Sequence, residues 1–511
     1  MIARAAWLCD GVLLVRESES GGRVLAQPAS DPLGAEVEEK LTDLTTFLRE
    51  GPAGWNAEAR TQLLDYLASL GGELGLSPSL SEGLHRAREA LRRRRPLSLP
   101  DQRRGVGLAV ERLHRIDARG FYVRGCAWAG GERVAALTAI TPEGERVELQ
   151  ELVSHHPGAA GGFAGLFETS FPTHGAEGWV FEAATGSGRA VEAPASIAPD
   201  PLRTIFADAG LAFPGVEELR ERHIHPAVHR LNELQRDRTA IVELAGQGEA
   251  PESAAISLVI TLQRRVDLIE HQIAQFAADP EVGRCELLYV LAEPDQSDAL
   301  QRLAAELFAL YGLPLRLAAL TEPAGLPIAC DLGASLAGGQ RLVFLGSDVI
   351  PDRPGWLGAM AAALDAEAAV AAATAKLLHA GEAVDQAGLE YTQGPASGDG
   401  RVVHRLRGMH RDAAAAAEGG PVAAAGLVCL MIDAAALAAA GGLRGEYGLA
   451  DYEGADLSRR LAGLGMELRY VPEAELYRLE GLGAEPEALG EAYARWLHSR
   501  SWAEATVGAS A

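Results

Sequence analysis

The chain has 511 residues, and its 46 lysines and arginines against 70 aspartates and glutamates give a formal net charge of −24. This acidic balance excludes nucleic acid and anionic membranes as general partners, because both are bound through positively charged surfaces. The 48% hydrophobic content is sufficient for large cores and excludes a chain that is disordered throughout. The length predicts about three domains.

The chain contains five widely spaced cysteines: Cys9, Cys126, Cys285, Cys330 and Cys429. No two of them form a C-x-x-C pair, which favours buried free thiols over a disulfide scaffold or a zinc ribbon. Residues 1–11 are too short and too polar for a signal peptide. The most apolar stretch, 422–442, is interrupted by Asp433 and favours a core strand and helix over a membrane span. We therefore predict a cytoplasmic protein without a transmembrane segment.

The first half of the chain divides into three regions by the spacing of its apolar residues. Residues 1–105 predict a short strand region followed by helices over 34–95, where leucines recur every three or four positions. Residues 106–200 change to short apolar runs separated by Gly-containing turns, which predicts a small all-β module of the sandwich type. Residues 201–250 return to helical spacing and predict a helical connector.

Two patterns in this half leave a functional alternative open. Trp128 and Trp179 of the β module are aromatic residues that stack on sugars in carbohydrate-binding proteins, although core positions are favoured for both. His225 and His229 of the connector have the i, i+4 spacing that presents two metal ligands on one helix face. Because no third ligand accompanies them at a fixed spacing, capping or packing roles are favoured for these histidines.

From residue 253 onward, apolar strands alternate with helices. The pattern predicts strands at 256–262, 286–291, 315–320 and 341–345, and helices at 267–278, at 298–311 and beginning near 330. Such alternation is typical of a mostly parallel α/β sheet with flanking helices, here assigned to 253–500. Ligands of these sheets bind at the carboxyl ends of the strands, so the strand end Gly346-Ser347-Asp348 is a candidate site.

Four segments of this region carry motifs: LVFLGSDVIP at 342–351, GLVCLMI at 426–432, DYEGADLSRRL at 451–461 and VPEAELYRLEG at 471–481. In order and spacing they resemble segments of the family-2 glycosyltransferases, whose nucleotide-sugar-binding domain has the fold called GT-A. The resemblance covers residues 253–481. It implies a GT-A-like α/β domain at the C-terminus, with a mixed and mostly parallel sheet, preceded by the helical region and the β module.

The family resemblance also implies an activity. Its members transfer a sugar from a nucleotide-sugar donor to a glycan or glycolipid acceptor, here with inversion at the anomeric carbon, as in bacterial surface polysaccharide assembly. A divalent metal, Mn²⁺ or Mg²⁺, held by Asp348 is implied, since charge develops on the departing diphosphate. Asp451, Glu453 and Asp456 are the candidates for the carboxylate that takes the proton of the acceptor hydroxyl. The candidates for donor binding are Thr261, Glu293, Ser347, Arg405, Arg407 and Arg478.

Several motif positions differ from the family. Gly346 stands where the metal motif has its first acidic or amide residue, and Gly454 stands where the base is usual. Ala292 occupies a position that commonly contacts the nucleobase, and Arg478 replaces the histidine of many members. An arginine cannot ligate a metal but can neutralise a diphosphate. Two alternatives therefore stay open: an active transferase with substituted parts, or a catalytically degenerate relative that acts as a sugar-binding or scaffolding partner.

One cationic cluster interrupts the acidic chain. Six basic residues lie between the two middle motifs: Arg401, His404, Arg405, Arg407, His410 and Arg411. Members of the family have a mobile loop over the donor at this place, so the cluster is interpreted as a cationic lid on the diphosphate or on an anionic acceptor. The alternative is a solvated loop that pairs with surface carboxylates.

Overall fold

The computed structural model describes residues 3–8, 11–16 and 23–26, and then residues 107–508 except for short gaps. The gaps are 129–133, 150–151, 155–159, 174–177, 186–189, 196, 199–200, 212, 214, 250, 252–253, 264–265, 380, 392–400, 448–449 and 480–485. The chain forms two compact units, 1–103 and 104–511. In the first unit, strands β1 (Ala3–Leu8), β2 (Gly11–Arg16) and β3 (Arg23–Ala26) pair antiparallel. The helices predicted over 34–95 lie outside the described residues.

The second unit begins with a β-sandwich. Its strands are β4 (Gly107–Arg115), β5 (Gly120–Trp128), β6 (Val134–Ile140), β7 (Arg146–Glu148), β8 (Val153–Ser154), β9 (Ala160–Glu168), β10 (Trp179–Thr185) and β11 (Ala190–Ala195). They form two antiparallel sheets, ordered β4-β5-β9-β8 and β11-β10-β6-β7. Both sheets contribute to one apolar core, in which the rings of Phe121 and Trp179 lie 4.6 Å apart. Trp179 is fully buried, so it is a core residue and is not available to stack on a sugar. Trp128 is half-buried, with its ring lying directly over Gly107.

The segment after the sandwich contains helices α1 (Pro201–Ala209), α2 (Val216–Leu219) and α3 (His225–Arg238), with a π-helical turn (Arg220–Ile224) between the last two. It ends in strand β12 (Ile241–Gln247), which pairs antiparallel with a strand of the large sheet. The segment predicted to be a helical connector therefore also supplies a strand.

The paired histidines of α3 lie with their ring centres 6.2 Å apart and have different polar partners. His225 Nδ1 lies 3.1 Å from Tyr493 Oη, whereas His229 lies 3.4 Å from Glu233 and 3.5 Å from Glu446. The favoured packing interpretation accounts for His225, whereas His229 is 46% exposed and lies beside two carboxylates.

The remaining elements build the large α/β domain. Its strands are β13 (Ile256–Leu262), β14 (Glu286–Leu291), β15 (Leu315–Leu320), β16 (Arg341–Gly346), β17 (Val349–Pro351), β18 (Val370–Leu378), β19 (Val384–Gln386), β20 (Leu389–Tyr391), β21 (Val402–His404), β22 (Gly420–Pro421), β23 (Cys429–Asp433) and β24 (Glu467–Arg478). Its helices are α4 (Ile269–Ala277), α5 (Ser297–Tyr311), α6 (Leu326–Leu336), α7 (Trp356–Ala366), α8 (Ala414–Ala417), α9 (Ala434–Ala439), α10 (Ala450–Gly463) and α11 (Pro486–Gly508).

The main sheet runs in the order β12-β15-β14-β13-β16-β23-β18-β24-β17. The four strands β13 to β16 are parallel, and β18 is parallel to β24, whereas β12, β17 and β23 run antiparallel to their neighbours. Strand β19 pairs with β18, β22 pairs with β24, and β20 and β21 form a separate two-stranded ribbon. The prediction of a mixed, mostly parallel α/β sheet with flanking helices is confirmed.

The sheet is buried on both faces. Along β13, Leu258 and Ile260 join one core, whereas Val259 joins a second core on the opposite face. Successive side chains of a strand point to opposite faces, so a strand with cores on both sides is a continuous apolar run. This is why the apolar runs in the sequence predict nearly the bounds that β13 to β16 have in the structure.

The strand order defines a crevice at one edge of the sheet. From β13 the chain moves outward to β14 and β15, and it then returns to β16 on the other side of β13. Such a reversal leaves a ligand-binding crevice at the carboxyl ends of the two central strands. Thr261 and Gly346 are paired in register at those ends, so the residues that follow Gly346 begin at the crevice. In the described part of the chain, no helix is long and apolar enough to cross a bilayer.

Candidate functional site

The short strand β17 brings the end of β16 to the end of β24. Val349 is paired in register with Arg478, and Arg478 Nε donates a hydrogen bond to Asp348 Oδ2 at 3.2 Å. The Asp348 carboxylate folds back over Gly346, where a Cβ atom would lie only 2.7 Å from Asp348 Oδ1. The glycine at this motif position therefore gives Asp348 the space for its present orientation.

Arg478 also contacts Asp385, a residue that no sequence motif indicates. The Arg478 Nη1 atom lies 3.4 Å from Asp385 Oδ2, and His379 Nε2 lies 3.1 Å from Asp385 Oδ1. The Asp385 side chain is only 1% exposed. Burial alone would raise the pKa of this carboxyl, but the hydrogen bond and charge of His404, with Arg478 and His379, lower the pKa to about 2.

His404 connects Asp385 to Asp451. Its Nε2 donates to Asp451 Oδ2 at 2.8 Å, and its Nδ1 lies 3.1 Å from the Asp385 carbonyl oxygen. Burial would lower the pKa of His404, but its hydrogen bonds to the two aspartates raise the pKa to about 9. His404 is therefore protonated at neutral pH, so that both ring nitrogens donate.

Asp451 receives a hydrogen bond on each carboxylate oxygen, from His404 on one and from Gln386 on the other. Its Oδ1 accepts a hydrogen bond from Gln386 Nε2 at 3.3 Å and lies against Gly426, where a Cβ would come within 2.6 Å. Burial acts to raise the pKa of Asp451, but His404 and Arg478 outweigh it and lower the pKa below the usual range. The carboxylate is ionised at neutral pH, and with 29% of its side chain exposed it remains accessible.

These five residues form what we call the strand-end network: Asp348, Arg478, Asp385, His404 and Asp451. Positive and negative charges alternate along it, with three carboxylates and two cations. Arg407 lies at its edge, with Nε 3.7 Å from Asp385 Oδ1 and 55% of its side chain exposed. The network lies at the crevice defined by the strand order.

Glu453 and Asp456 are on the opposite face of α10 from Asp451. A helix turns by about 100° per residue, so positions 453 and 456 both point away from position 451. Glu453 is fully buried and accepts the backbone N–H groups of Gly445 at 3.0 Å and Tyr447 at 2.8 Å. Burial raises the pKa of Glu453 to about 7, although these two bonds act to lower it.

Asp456 is also fully buried, and it accepts hydrogen bonds from Arg460 Nε at 2.8 Å and Arg459 Nη2 at 3.0 Å. Tyr447 Oη donates to it at 3.3 Å. The structure therefore does not bring the three catalytic candidates together, and Glu453 and Asp456 hold the loop before α10.

The packing of α10 leaves space only for glycine at position 454. A Cβ atom at this position would lie 2.2 Å from the carbonyl oxygen of Ala425, because α10 packs closely against residues 425–426. No side chain fits there without a shift of the backbone. The glycine that stands in place of the family's base is thus explained by the close approach of the helix to the neighbouring segment.

The donor-binding candidates are distributed unevenly. Ser347 and Arg478 lie at the strand-end network, and Arg407 lies at its edge. Thr261 is buried at the end of β13. Two other candidates have local partners outside the network. Glu293 Oε2 accepts from Gln296 at 3.4 Å, and the Arg405 guanidinium lies 5.4 Å from the ring centre of Tyr470.

Most members of the cationic cluster pair with carboxylates. Arg401 contacts Glu491 at 3.2 Å, and the exposed His410 lies near Glu382 and Asp412. Arg411 Nη2 contacts Asp352 at 2.6 Å and also pairs with Glu475. This pairing agrees with the interpretation of the segment as a loop that pairs with carboxylates. The Arg411–Glu475 pair is mostly buried, however, and is not a solvated surface contact. His404 from this cluster belongs to the strand-end network, and Arg407 lies at its edge.

The residues at the strand end do not fit a resident divalent cation. Asp348 Oδ2 already accepts from Arg478, whose guanidinium occupies the approach to that oxygen. Among the described residues, no group of three or more histidines, cysteines, aspartates and glutamates is arranged to hold a metal ion. A divalent cation of this class takes about six oxygen ligands, of which a protein commonly supplies one or two carboxylates, and a guanidinium beside such a carboxylate repels the cation. The positive charge beside Asp348 is thus the Arg478 guanidinium, and the described residues offer no protein cluster for the metal implied by the family resemblance.

The similarity of this chain to known proteins is confined to solved structures. No protein-family model matches the chain, and no curated protein matches its sequence significantly. Similar solved structures include GalNAc-T7 with UDP, GalNAc and Mn²⁺, at 16% identity and a TM-score of 0.36 over 45% of this chain and 45% of that one. Another is the mannosyltransferase PcManGT from Pyrobaculum calidifontis with GDP-Man and Mn²⁺, at 15% identity and a TM-score of 0.33 over 60% of this chain and 86% of that one. The chain thus spans under half the length of GalNAc-T7, and membership of family 2 stays a prediction.

Proposed function

We propose that this protein is a glycosyltransferase that moves a sugar from a nucleotide-sugar donor to a glycan or glycolipid acceptor, with inversion at the anomeric carbon. The observation that carries the proposal is the strand-end network at the reversal of strand order, where a guanidinium and an accessible, ionised carboxylate lie within one connected set of contacts. The order of the sequence motifs supports the same assignment.

Asp451 is the proposed catalytic base. It is the one sequence candidate of the three that belongs to the network, and its carboxylate is partly exposed. A base in this reaction takes the proton from the acceptor hydroxyl as that oxygen attacks the anomeric carbon. His404 and Gln386 fix the orientation of the carboxylate, and the donor diphosphate binds beside Ser347 and Arg478.

The test of the proposed function is a turnover assay with a panel of UDP- and GDP-sugars, in which the released nucleoside diphosphate is measured. Asp451→Asn keeps the shape of the side chain but removes the base, so turnover should fall about a hundredfold or more. The matched control is Glu367→Gln, which changes an exposed carboxylate paired with Arg469 and should leave turnover unchanged. Equal turnover by Asp451→Asn and the unmodified chain would contradict the assignment of the base.

A second candidate is a degenerate relative that binds a sugar or a partner without turnover. The observation in its favour is that the charges of the network are already paired with one another, and that Gly454 leaves no room for a carboxylate at the usual base position. Binding of a nucleotide sugar without any released diphosphate across the panel is the result expected for this candidate.

A further inference from the structure

Arg478 occupies a fixed position at the crevice. Its backbone ends β24 and pairs with Val349, and its side chain is held by carboxylates from two different elements, Asp348 after β16 and Asp385 in β19. Only 19% of this side chain is exposed. A guanidinium held in this way is oriented before any ligand arrives, which reduces the entropy lost on binding.

The guanidinium retains donors for an anion. Within the described part of the chain, Nε and Nη1 of Arg478 have hydrogen-bond partners, and Nη2 has none. Guanidinium groups bind phosphate oxygens through two parallel N–H donors, a geometry that a lysine cannot reproduce. The free edge of Arg478, formed by Nη2 and the second N–H of Nη1, therefore fits an oxyanion, and the nucleotide-sugar donor of the proposed function supplies one as its diphosphate.

The carboxylates around Arg478 decide how such a ligand would bind. If Asp348 were a metal ligand, its negative charge would be required for diphosphate binding. If Arg478 is the cation, the same negative charge repels the diphosphate and competes for the guanidinium. The effect of neutralising Asp348 on diphosphate affinity therefore has opposite signs under the two mechanisms.

We propose that Arg478 replaces the divalent cation of this site, so that the diphosphate of the donor binds directly to its guanidinium, with Asp348 and Asp385 as internal competitors for that group. This inference rests on the proposed function and specifies how its donor is held. It predicts that binding of a diphosphate needs no metal and is strengthened by removing the charge of Asp348.

The experiment measures the affinities of pyrophosphate, UDP and GDP by isothermal titration calorimetry, in EDTA and in Mn²⁺. For the unmodified chain, at least one probe should bind in EDTA, with an affinity that Mn²⁺ does not increase. Asp348→Asn keeps an oxygen that accepts from Arg478 Nε but removes the competing charge, so it should raise this affinity several-fold. Arg478→Gln should lower the affinity by about tenfold or more. Arg478→Lys keeps the charge without the planar donor pair and should give an intermediate affinity.

Arg146→Gln is the matched control for the loss of one cation. Arg146 lies in the β-sandwich, is 54% exposed and pairs only with Glu182 among the described residues, so the diphosphate affinity should not change. Thermal unfolding of every variant shows whether it is folded. An Arg478→Gln chain that unfolds early leaves Asp348→Asn as the deciding variant, because the sign of its effect does not depend on Arg478→Gln.

Two results would overturn the inference, and they differ in what they say of the proposed function. Binding that appears only with Mn²⁺ and is lost in Asp348→Asn would assign a metal to the site, and the transferase proposal would stand. No binding of any probe in either condition would contradict both the inference and the proposed function.

Discussion

Helix α10 presents Asp451 on one face and Glu453 with Asp456 on the other, and the two faces differ in exposure and in partners. Asp451 is partly exposed and belongs to the strand-end network, whereas Glu453 and Asp456 are fully buried and hold the loop before the helix. Carboxylates two to five positions apart in one motif can therefore have unrelated tasks. Their direction around the helix axis separates a candidate for chemistry from groups that stabilise the fold.

We expect the largest loss of stability from a substitution at Gly454, where α10 approaches residues 425–426 closely. Gly454→Asp would restore a carboxylate at the family's usual position, but its Cβ would overlap the Ala425 carbonyl oxygen and its charge would be buried. We expect a loss on the order of 5 kcal/mol in the free energy of unfolding, measured by urea denaturation. At Gly463, near the end of the same helix, a Cβ meets nothing within 4 Å, so Gly463→Asp should cost only about 1 kcal/mol. Similar losses for both variants would show that the contact at 454 is not limiting.

Removing the charge of Asp456, on the buried face of α10, should cost more stability than removing the charge of Asp451 on the other face. Asp456→Asn leaves the charges of Arg459 and Arg460 without their buried counter-ion, so the free energy of unfolding should fall by about 4 kcal/mol. Asp451→Asn on the other face should cost about 1.5 kcal/mol, because the amide still accepts the His404 hydrogen bond at a partly exposed position but loses the charge of the pair. Urea denaturation of both variants at pH 7 makes the comparison. A larger loss for Asp451→Asn would reverse the assignment of the faces.

The smallest of the three expected effects is the pH dependence of the stability that His404 contributes. The folded-state pKa of His404 is raised from 6.5 to about 9, so its ion pairs contribute fully below about pH 6.5 and are lost as the pH rises through 9. A shift of this size corresponds to about 3 kcal/mol of stability. The measurement is the free energy of unfolding between pH 6 and 10 for the unmodified chain and for His404→Gln. The difference between the two curves should shrink as the pH rises, and a constant difference would contradict the raised pKa.

Much of the large sheet could be predicted because its central strands are buried on both faces. Strand β13 is predicted at the bounds it has in the structure, since a run of apolar β-formers leaves little choice of element. The exposed edge strand β12 falls within the predicted helical connector, because a strand with one neighbour needs no apolar run. Strand β9, AGGFAGLFE, escapes prediction because its glycines conceal the alternating pattern.

The candidate site could be predicted only in part. Asp348, Arg478 and Asp451 follow from motifs, and the turn of about 100° per residue is sufficient to separate Asp451 from the other two carboxylates of α10. Asp385 and His404 cannot be found in this way. They come together through the pairing of β18 with β19 and of β20 with β21, which no local pattern specifies.

Strand β17 is only three residues long, and an acidic residue flanks it on each side. Asp348 before it holds Arg478, and Asp352 after it holds Arg411 of the cationic cluster. The spacing of these two ion pairs is thus set by the number of residues in β17. One inserted or deleted residue would turn every following side chain to the other face and separate at least one pair. The length of this strand therefore sets the separation between the Asp348–Arg478 pair of the strand-end network and the Asp352–Arg411 pair beside it.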